Sequence, residues 1–264
     1  MTTVVADTHV HIYPFYKVED ALNNIAQNLG QYLRVSHRIA CLTERYDCEL
    51  YAELRDAPRA SVIEQFSIKN AKGSLKFVNL STGQNFHLLP GQQVITGENI
   101  EILSLNCEQR VVEGKSAPQT VEDILSAGGI PVVAWAPGKW FFARGNVVLS
   151  LMDSFSPNQL AFGDTTLRPI GWTTPTIIKR ARERGFKVLF GSDPLPFAGE
   201  EKRPGTYLTR FEVPGLTESS DPSVIMGSAL EDGVLANDEG SRGSFPAVLN
   251  RLYRNHRAPT PARA

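Results

Sequence analysis

The sequence has little cysteine, no excess of basic residues and no long apolar run. Its three cysteines, none of them in a CxxC pair, do not supply a disulfide framework and fit a reducing compartment. Lys and Arg total 27 against 28 for Asp and Glu, which gives no signal for a protein that holds nucleic acid through its phosphates. No apolar run reaches the roughly 18 residues that a membrane-spanning helix needs. Residues 1–13 also lack the basic and apolar regions of a signal peptide, so we expect a cytoplasmic protein without a membrane partner.

The composition and pattern that remain are those of a folded α/β protein. Hydrophobic residues make up 42% of the chain and charged residues 21%. Apolar strand-like runs alternate with helical patterns, which predicts parallel pairing of the strands. The predicted strands are 3–6, 36–42, 75–80, 86–89, 100–105, 130–134, 147–152 and 186–190, and the predicted helices are 18–33, 54–65, 120–127, 175–184 and 247–253.

The length suits one barrel-sized domain, which we place at residues 1–254. Residues 215–244 are rich in Gly, Ser, Asp and Glu and only weakly periodic, so they predict a long surface loop or an insertion. Residues 255–264 contain two prolines and predict a disordered tail.

Two histidines near the start of the chain are the first chemical signal. His9 and His11 alternate along the first predicted strand, so both side chains project to the same face. Asp193 follows a later apolar strand, and active sites of α/β barrels lie at the C-terminal ends of their strands. Two imidazoles and a carboxylate make a mixed nitrogen and oxygen ligand set. The sequence therefore predicts a site for one divalent ion, of Zn, Mn or Fe.

Short segments resemble, in order, motifs of the polymerase-and-histidinol-phosphatase (PHP) family. Asp7-Thr8-His9-Val10-His11 resembles its opening DxHxH, and 38–45 resembles its apolar strand followed by Thr-Asp-His. Segments further along resemble its Pro-Gly-x-Glu, its His-led strand, its Gly-Gly strand and its Gly-Ser-Asp-x-His; these are 89–93, 101–105, 127–134 and 189–193. The matches cover roughly residues 3–196. The resemblance implies a distorted, TIM-like (β/α)7 barrel, a PHP domain, with a three-metal centre that cleaves phosphoesters.

The chain departs from the family's pattern at several ligand positions. Arg45 stands where the family has a ligand His, and an arginine cannot ligate a metal because it stays protonated. Gln93 stands at a bridging Glu, and Glu101 stands at the next His. The other departures are Glu44 for Asp, Trp135 or Ala136 for a His, and Pro194-Leu195 where the last His would follow. We therefore expect one ion rather than three.

The roles follow from these positions. The expected metal ligands are His9, His11, Glu101 and Asp193. The expected catalytic residues are Glu44, Arg45 and Asp193. A small anionic substrate is expected to contact cationic and polar side chains of the loops that follow strands, namely Arg45, Lys139, Arg144, Asp164 and Arg168.

Three functional hypotheses remain open. The first is a metal-dependent hydrolase acting on a phosphoester. The second is a catalytically degenerate barrel that binds an anionic ligand or a protein partner through Arg45, whose planar fork suits carboxylate and phosphate. The third is a hydrolase of the amidohydrolase superfamily, for which His37 and His87 would have to supply the two central histidines.

Overall fold

The computed structural model describes residues 2–56, 63–71, 73–231 and 234–258. Its strands are β1 (Thr2–Val10), β2 (His37–Leu42), β3 (Phe66–Ala71), β4 (Ser74–Asn79), β5 (Asn85–Leu89), β6 (Gly91–Ile95), β7 (Glu101–Leu105), β8 (Ile130–Ala134), β9 (Ala161–Thr165), β10 (Val188–Gly191), β11 (Tyr207–Val213) and β12 (Val234–Gly240). Its helices are α1 (Val18–Gly30), α2 (Leu50–Asp56), α3 (Ala117–Ser126), α4 (Ala143–Ser154), α5 (Thr176–Glu183), α6 (Pro222–Glu231) and α7 (Phe245–Arg257).

The strands form two mixed sheets. The seven-stranded sheet has the order β12-β11-β1-β2-β5-β4-β3, and the five-stranded sheet has the order β10-β9-β8-β7-β6. β1, β2 and β5 run parallel, as do β8, β9 and β10. The remaining neighbours pair antiparallel.

The expected TIM-like (β/α)7 barrel is wrong, although the α/β class is right. Each sheet ends in edge strands, and the strand ladders do not close into a ring in the described part of the chain. The reason is that β7 runs antiparallel to its neighbours β6 and β8, and β11 runs antiparallel to its neighbours β1 and β12, whereas a TIM barrel needs parallel neighbours throughout. The alternation of strands and helices in the sequence predicts parallel pairs and does not reveal these antiparallel ones.

The two sheets contact each other where β1 and β10 end. The Asp193 amide donates a hydrogen bond to the His9 carbonyl at 2.9 Å, and the Thr8 hydroxyl donates to the Phe190 carbonyl at 3.0 Å. On the other side of β1, Glu44 forms a single parallel bridge with Gln92, just after β2 ends and as β6 begins. These few contacts bring polar residues from both sheets to one place.

Helix α1 and helix α3 show why the periodic segments fold as the sequence predicts. The apolar side chains of α1 recur at helical spacing and are buried, including Leu22, Ile25 and Leu29. Each such burial stabilises the fold by about 1.5–3 kcal/mol. Helix α3 is preceded by its N-cap residue Ser116, which forms a capping box with Gln119.

One predicted strand, 147–152, is instead the centre of helix α4. Its β-branched and apolar residues indicate a strand by type, but Val148, Leu151 and Met152 are buried at helical spacing. Of the predicted helix 54–65, residues 54–56 belong to α2, residues 57–62 lie outside the described residues, and β3 begins at Phe66.

Residues 215–244 are not one long loop. They contain α6, which buries Ile225 and Met226, and β12, which pairs with β11. Weak periodicity concealed both elements, because α6 is short and apolar on more than one side. Of the predicted tail, Asn255 to Arg257 belong to α7, and 259–264 lie outside the described residues. Among the described helices, none combines the length and the apolar character needed to cross a bilayer.

Candidate metal centre

Two histidines at the end of β1 and an aspartate after β10 bring their ligand atoms together. His9 Nε2 lies 3.0 Å from His11 Nε2, 3.6 Å from Asp193 Oδ1, and His11 Nε2 lies 4.0 Å from the same oxygen. All three residues are buried, and their ligand atoms lie within 4.8 Å of one another. This buried group could bind a metal ion.

Gln93, the third residue of β6, adds a further oxygen to this group. Its Oε1 lies 3.0 Å from His9 Nε2, and its side chain lines the same cleft as His11 and Asp193. Residue types and their spacing in the sequence assigned Gln93 no role. The only signal for it was its place in the Pro-Gly-x-Glu-like segment, where the family resemblance implies a metal-bridging Glu. An amide oxygen can ligate a hard cation but carries no charge.

The electrostatics of the group favour a bound cation. Burial raises the pKa of Asp193, against the lowering effect of His9. Burial lowers the pKa of His11 well below its usual value, and the nearby His9 and Arg45 act in the same direction. Desolvation thus leaves His11 as a neutral imidazole that can offer a lone pair, and it makes the charged form of the buried Asp193 carboxylate costly. A divalent ion between them would compensate that carboxylate.

The donor set fits one ion. Two imidazole nitrogens and one carboxylate oxygen leave a position open toward the cleft, as in catalytic zinc sites with three protein ligands. The His11 ring is also hydrogen bonded to the Thr43 backbone, which orients it. His9 Nδ1 is buried and has no hydrogen-bond partner among the described residues, so packing and its Nε2 contacts orient that ring.

Asp7 lies behind the ligands and ties their two strands together. Its carboxylate accepts hydrogen bonds from the amides of His9 (3.1 Å), Ser192 (2.9 Å) and Gly205 (2.7 Å). Burial raises its pKa to about 6, against the lowering effect of these hydrogen bonds. Asp7 therefore connects the backbone at His9 to the turn that carries Asp193.

The glycine in the Gly191-Ser192-Asp193 turn is required by close packing. A Cβ at Gly191 would lie 2.5 Å from both the backbone nitrogen and the Cβ of His9. Asp193 itself has a φ of 48°, in the left-handed region that few residues other than glycine adopt. The strand end that carries the carboxylate is thus pressed directly against the strand that carries the histidines.

A cleft of about 430 Å³ opens above the group. Its floor includes His11, Gln93 and Asp193. Its walls carry charged, aromatic and apolar side chains, among them Arg45, Lys139, Glu101, Glu113, Tyr13, Tyr46, Ile95, Leu167, Leu195 and Leu252. The volume suits a small molecule.

Two of the predicted substrate-binding cations lie on this cleft. The Arg45 guanidinium pairs with Asp47 at 2.6 Å and lies 5.3 Å from the centre of the Tyr13 ring. Lys139 Nζ pairs with Glu101 Oε1 at 2.8 Å. Glu101, an expected ligand, is therefore at the cleft but outside the His9–His11–Asp193 group.

The structure turns Glu44 away from the cleft. Its carboxylate accepts a hydrogen bond from the Tyr51 amide at 3.0 Å and pairs with Arg110 at 3.3 Å, beside a separate pocket of about 250 Å³. Neighbouring residues of an extended chain point to opposite faces, so Glu44 and Arg45 cannot both face the metal group, by which we mean the side chains of His9, His11 and Asp193. The expected catalytic role of Glu44 does not agree with this geometry.

The other predicted substrate contacts are occupied elsewhere. Asp164 and Arg168 form a buried ion pair with each other, the closest N–O distance being 2.6 Å, and neither lines the cleft. Arg144 donates a hydrogen bond to the Gly138 carbonyl at 2.9 Å and likewise does not line the cleft. These three residues lie near the right strand ends, but strand position alone does not reveal where a long side chain points.

Helix α7 supplies residues that the sequence interpretation missed. Leu252 and Asn255 line the cleft, and Arg251 donates a hydrogen bond to the Asp193 carbonyl at 3.0 Å. No sequence signal marks these residues as part of a site, because α7 follows Asp193 by some fifty positions and belongs to no motif.

No protein-family model matches the chain, and no curated protein matches it. Two solved structures are similar in fold. PsfC from Pseudomonas syringae PB-5123 has a TM-score of 0.60 and 14% identity, covering 98% of this chain and 100% of PsfC. The lesion-specific endonuclease PfuEndoQ from Pyrococcus furiosus has a TM-score of 0.54 and 13% identity, covering 90% of this chain but 59% of the endonuclease. At these identities, the comparisons show a shared fold.

Proposed function

We propose that the protein is a metal-dependent hydrolase that holds one divalent ion on His9, His11 and Asp193 and cleaves a phosphoester of a small anionic substrate. The observation that carries this proposal is the convergence of three buried ligand atoms, of which those of His11 and Asp193 belong to residues that line a cleft together with Arg45 and Lys139. The ligands have the types that Zn, Mn and Fe accept.

The ligand set supports one ion rather than several. Gln93 and Arg45 stand at two positions where the PHP motifs would place further ligands, and Arg45 cannot ligate. When bound, such an ion lowers the pKa of a coordinated water and polarises a phosphoryl oxygen. The protein's part is to hold the ion with an open position and to orient the substrate.

Arg45 and Lys139 are suited to the anionic group of the substrate. The Arg45 guanidinium presents a planar fork that matches phosphate, and it lies over the Tyr13 ring, 5.3 Å from the ring centre. Both cations are paired with carboxylates, Asp47 and Glu101, in the structure. A bound phosphate would therefore share the two cations with these carboxylates or displace the carboxylates from them.

A phosphoester is favoured over an amide by the sequence motifs, by a protein of similar fold and by the positions of two other histidines. The ordered motifs resemble a family of phosphoester-cleaving proteins, and a protein of similar fold, PfuEndoQ, is an endonuclease. The amidohydrolase hypothesis needs His37 and His87 near the metal group. Instead, these two side chains contact each other, with ring centroids 6.0 Å apart, and neither lines the cleft.

A second candidate is a metal-free pocket that binds an anion through Arg45. It is supported by the position of Arg45 on the cleft wall. It would be favoured strongly if Arg45 paired with the Asp193 carboxylate and so took the place of the ion. The carboxylate partner of Arg45 is Asp47, and Asp193 stays with the histidines, so the metal-binding proposal is the better account.

The test is metal content followed by activity. Wild-type protein and the His9→Ala/His11→Ala variant are each reconstituted with Zn²⁺, Mn²⁺ or Fe²⁺, dialysed and analysed for metal. We expect about one equivalent in the wild type and none in the variant. Phosphomonoesters, phosphodiesters and amides are then assayed with and without metal. Absence of bound metal in the wild type under all three conditions would overturn the proposal and leave the Arg45 pocket.

An Arg45→Met variant separates metal binding from substrate binding. We expect it to retain the ion and to raise KM for an anionic substrate by about 10-fold or more, since a charge-assisted hydrogen bond contributes about 1.5–3 kcal/mol. Arg184→Met is the matched control, because Arg184 is likewise paired with an aspartate, Asp153 at 2.7 Å, and does not line the cleft.

A further inference from the structure

We propose that Arg251 of helix α7 is a positioning residue for Asp193, so that the C-terminal helix completes the metal centre. The proposal rests on the proposed function, since it takes Asp193 to be a metal ligand. It assigns a role to a buried charge that no motif of the sequence marks.

Arg251 reaches the backbone of the ligand directly. Its Nη2 donates to the Asp193 carbonyl oxygen at 3.0 Å, and its side chain is only 5% exposed. Its Nη1 donates to the Thr166 hydroxyl at 2.8 Å, and that hydroxyl donates to the Ser192 carbonyl at 2.5 Å. Two consecutive carbonyls of the ligand turn are therefore held by one guanidinium, one directly and one through Thr166.

Glu200 fixes the guanidinium and the next part of the turn. Its carboxylate accepts from Arg251 Nε at 3.0 Å and from Nη2 at 2.6 Å. The same carboxylate accepts from the Leu195 amide at 3.0 Å and from Arg203 Nε at 2.8 Å. The Asp193 carbonyl and the Leu195 amide are thus both hydrogen bonded to one buried ion pair.

Asp193 needs such support because of its backbone. With a φ of 48°, it occupies a left-handed conformation that is unfavourable for a residue with a Cβ and persists only where its surroundings hold it. On one side its amide donates to the His9 carbonyl at 2.9 Å, and on the other its carbonyl accepts from Arg251. Release of the second contact would let the turn relax and move the carboxylate away from the His9 and His11 nitrogens.

The fork of an arginine is needed for this function. Its donors, set in one plane, serve Asp193, Thr166 and Glu200 together, whereas a lysine ammonium is a compact charge that cannot reach all three. The same helix brings Leu252 and Asn255 to the cleft wall, so α7 both closes the cleft and holds its ligand.

The experiment measures Co²⁺ binding, because the visible spectrum of bound Co²⁺ reports the geometry of its ligands. Four proteins are titrated with Co²⁺: the wild type, Arg251→Lys, the double variant Glu200→Gln/Arg251→Met, and the control Arg254→Met. Arg254 lies on the same helix and contacts the same loop, through the Ala198 carbonyl at 2.9 Å and the Phe197 ring, but does not touch Asp193. Urea unfolding of each metal-free protein gives its stability.

The double variant separates positioning from folding. A single Arg251→Met change would leave the buried Glu200 carboxylate with the partly exposed Arg203 as its remaining cationic partner and could unfold the protein, whereas replacing both Glu200 and Arg251 with neutral groups of similar size removes most of that penalty. We expect the double variant to unfold near the wild-type midpoint and still to bind Co²⁺ about 10- to 100-fold more weakly, with an altered spectrum. Arg251→Lys should show the same loss of affinity, and Arg254→Met should bind like the wild type.

The outcomes are distinguishable. If the folded double variant binds Co²⁺ with the wild-type affinity and spectrum, Arg251 has only a structural role and the inference is wrong, while the proposed function stands. If the wild type itself binds no Co²⁺ under conditions in which it is folded, both the metal-binding proposal and this inference fail together.

Discussion

The described part of the chain contains two buried pairs of histidines, which differ in the distance between the two rings and in the groups around them. In the pair His9 and His11, the Nε2 atoms lie 3.0 Å apart, and the oxygens of Gln93 and Asp193 complete the group. In the pair His37 and His87, the ring centroids are 6.0 Å apart. His87 Nδ1 lies 3.3 Å from the Ser74 hydroxyl, and Lys76 lies close enough to lower the pKa of both histidines.

The surroundings of the two pairs explain why only the first is a candidate ligand set. His9 and His11 lie where β1 ends, beside a turn that supplies a carboxylate and below an open cleft. His37 begins β2 and His87 lies within β5, next to a cation and a hydroxyl. At the first pair, the Asp193 carboxylate lies 3.6 and 4.0 Å from the two Nε2 atoms, where a metal ion could bind all three groups. The position at a strand end and the neighbouring carboxylate, not the histidines themselves, make the first pair the candidate site.

The largest expected effect is on metal affinity. The His9→Ala/His11→Ala variant should bind Zn²⁺ at least about 1,000-fold more weakly than the wild type, or about 4 kcal/mol. The His37→Gln/His87→Gln variant should bind within about threefold of the wild type. Isothermal titration with Zn²⁺ measures both. Equal losses in the two variants would show that the His9–His11 pair is not the specific site of Zn²⁺ binding.

The next effect is a pH dependence that belongs to the second pair. Burial lowers the pKa of His87 to about 4, and the charges of Lys76 and His37 act in the same direction. The folded protein therefore binds fewer protons at this site than the unfolded chain, whose histidine has a pKa of about 6.5. Stability that is fully present above pH ~6.5 is lost as the pH falls toward 4, by about 3 kcal/mol for this residue.

The His87→Gln variant isolates that contribution, because glutamine can keep a hydrogen bond to Ser74 and does not titrate. Urea unfolding at pH 7.5, 6.0, 5.0 and 4.5 should show a smaller loss of unfolding free energy for the variant than for the wild type. Parallel curves for the two proteins would assign the acid sensitivity to other groups.

The smallest effect distinguishes two adjacent glutamines. Gln93 faces the metal group, and Gln92 faces the opposite side, where it accepts from the Val111 amide at 2.8 Å and donates to the Val111 carbonyl at 3.1 Å. Gln93→Ala should weaken Zn²⁺ binding about 3- to 10-fold, or about 0.7–1.4 kcal/mol, with little change in stability. Gln92→Ala should lower the unfolding free energy by about 1–3 kcal/mol and leave Zn²⁺ affinity unchanged. The reverse result would show that the two side chains had been assigned to the wrong faces.

Much of the metal group could be predicted from the sequence. The period of two along a strand places His9 and His11 on one face, and an apolar strand ending in Gly191-Ser192-Asp193 supplies a carboxylate at a strand end. The same period argues against using Glu44 and Arg45 together, a constraint that the motif resemblance obscured. Glu101 comes to the cleft but pairs with Lys139, because a half-buried carboxylate is stabilised by the nearest cation.

The fold was predictable where periodicity was strong and failed where it was weak. Helices α1, α3 and α5 and strands β2, β5 and β8 lie where their patterns predict. Strand β9 was missed because Ala161–Thr165 is short and polar at its end, and β6 was missed because its two glutamines conceal its alternation. Strands β3, β11 and β12 of the seven-stranded sheet were missed as well. Four of the five missed strands, β3, β6, β11 and β12, pair antiparallel, so the antiparallel parts of both sheets were not predicted and a parallel barrel was expected instead.

The sequence by itself determined the α/β class, the shared face of His9 and His11 and the polar turn after β10, because these depend on local periodicity and on residues close in the chain. Only the tertiary structure decided that the sheets stay open, that Gln93 joins the metal group, that Glu44 turns away and that Arg251 holds Asp193. These features depend on which strands pair and on where long side chains find a partner of opposite charge. Both are set by contacts between residues far apart in the chain, which no local pattern encodes.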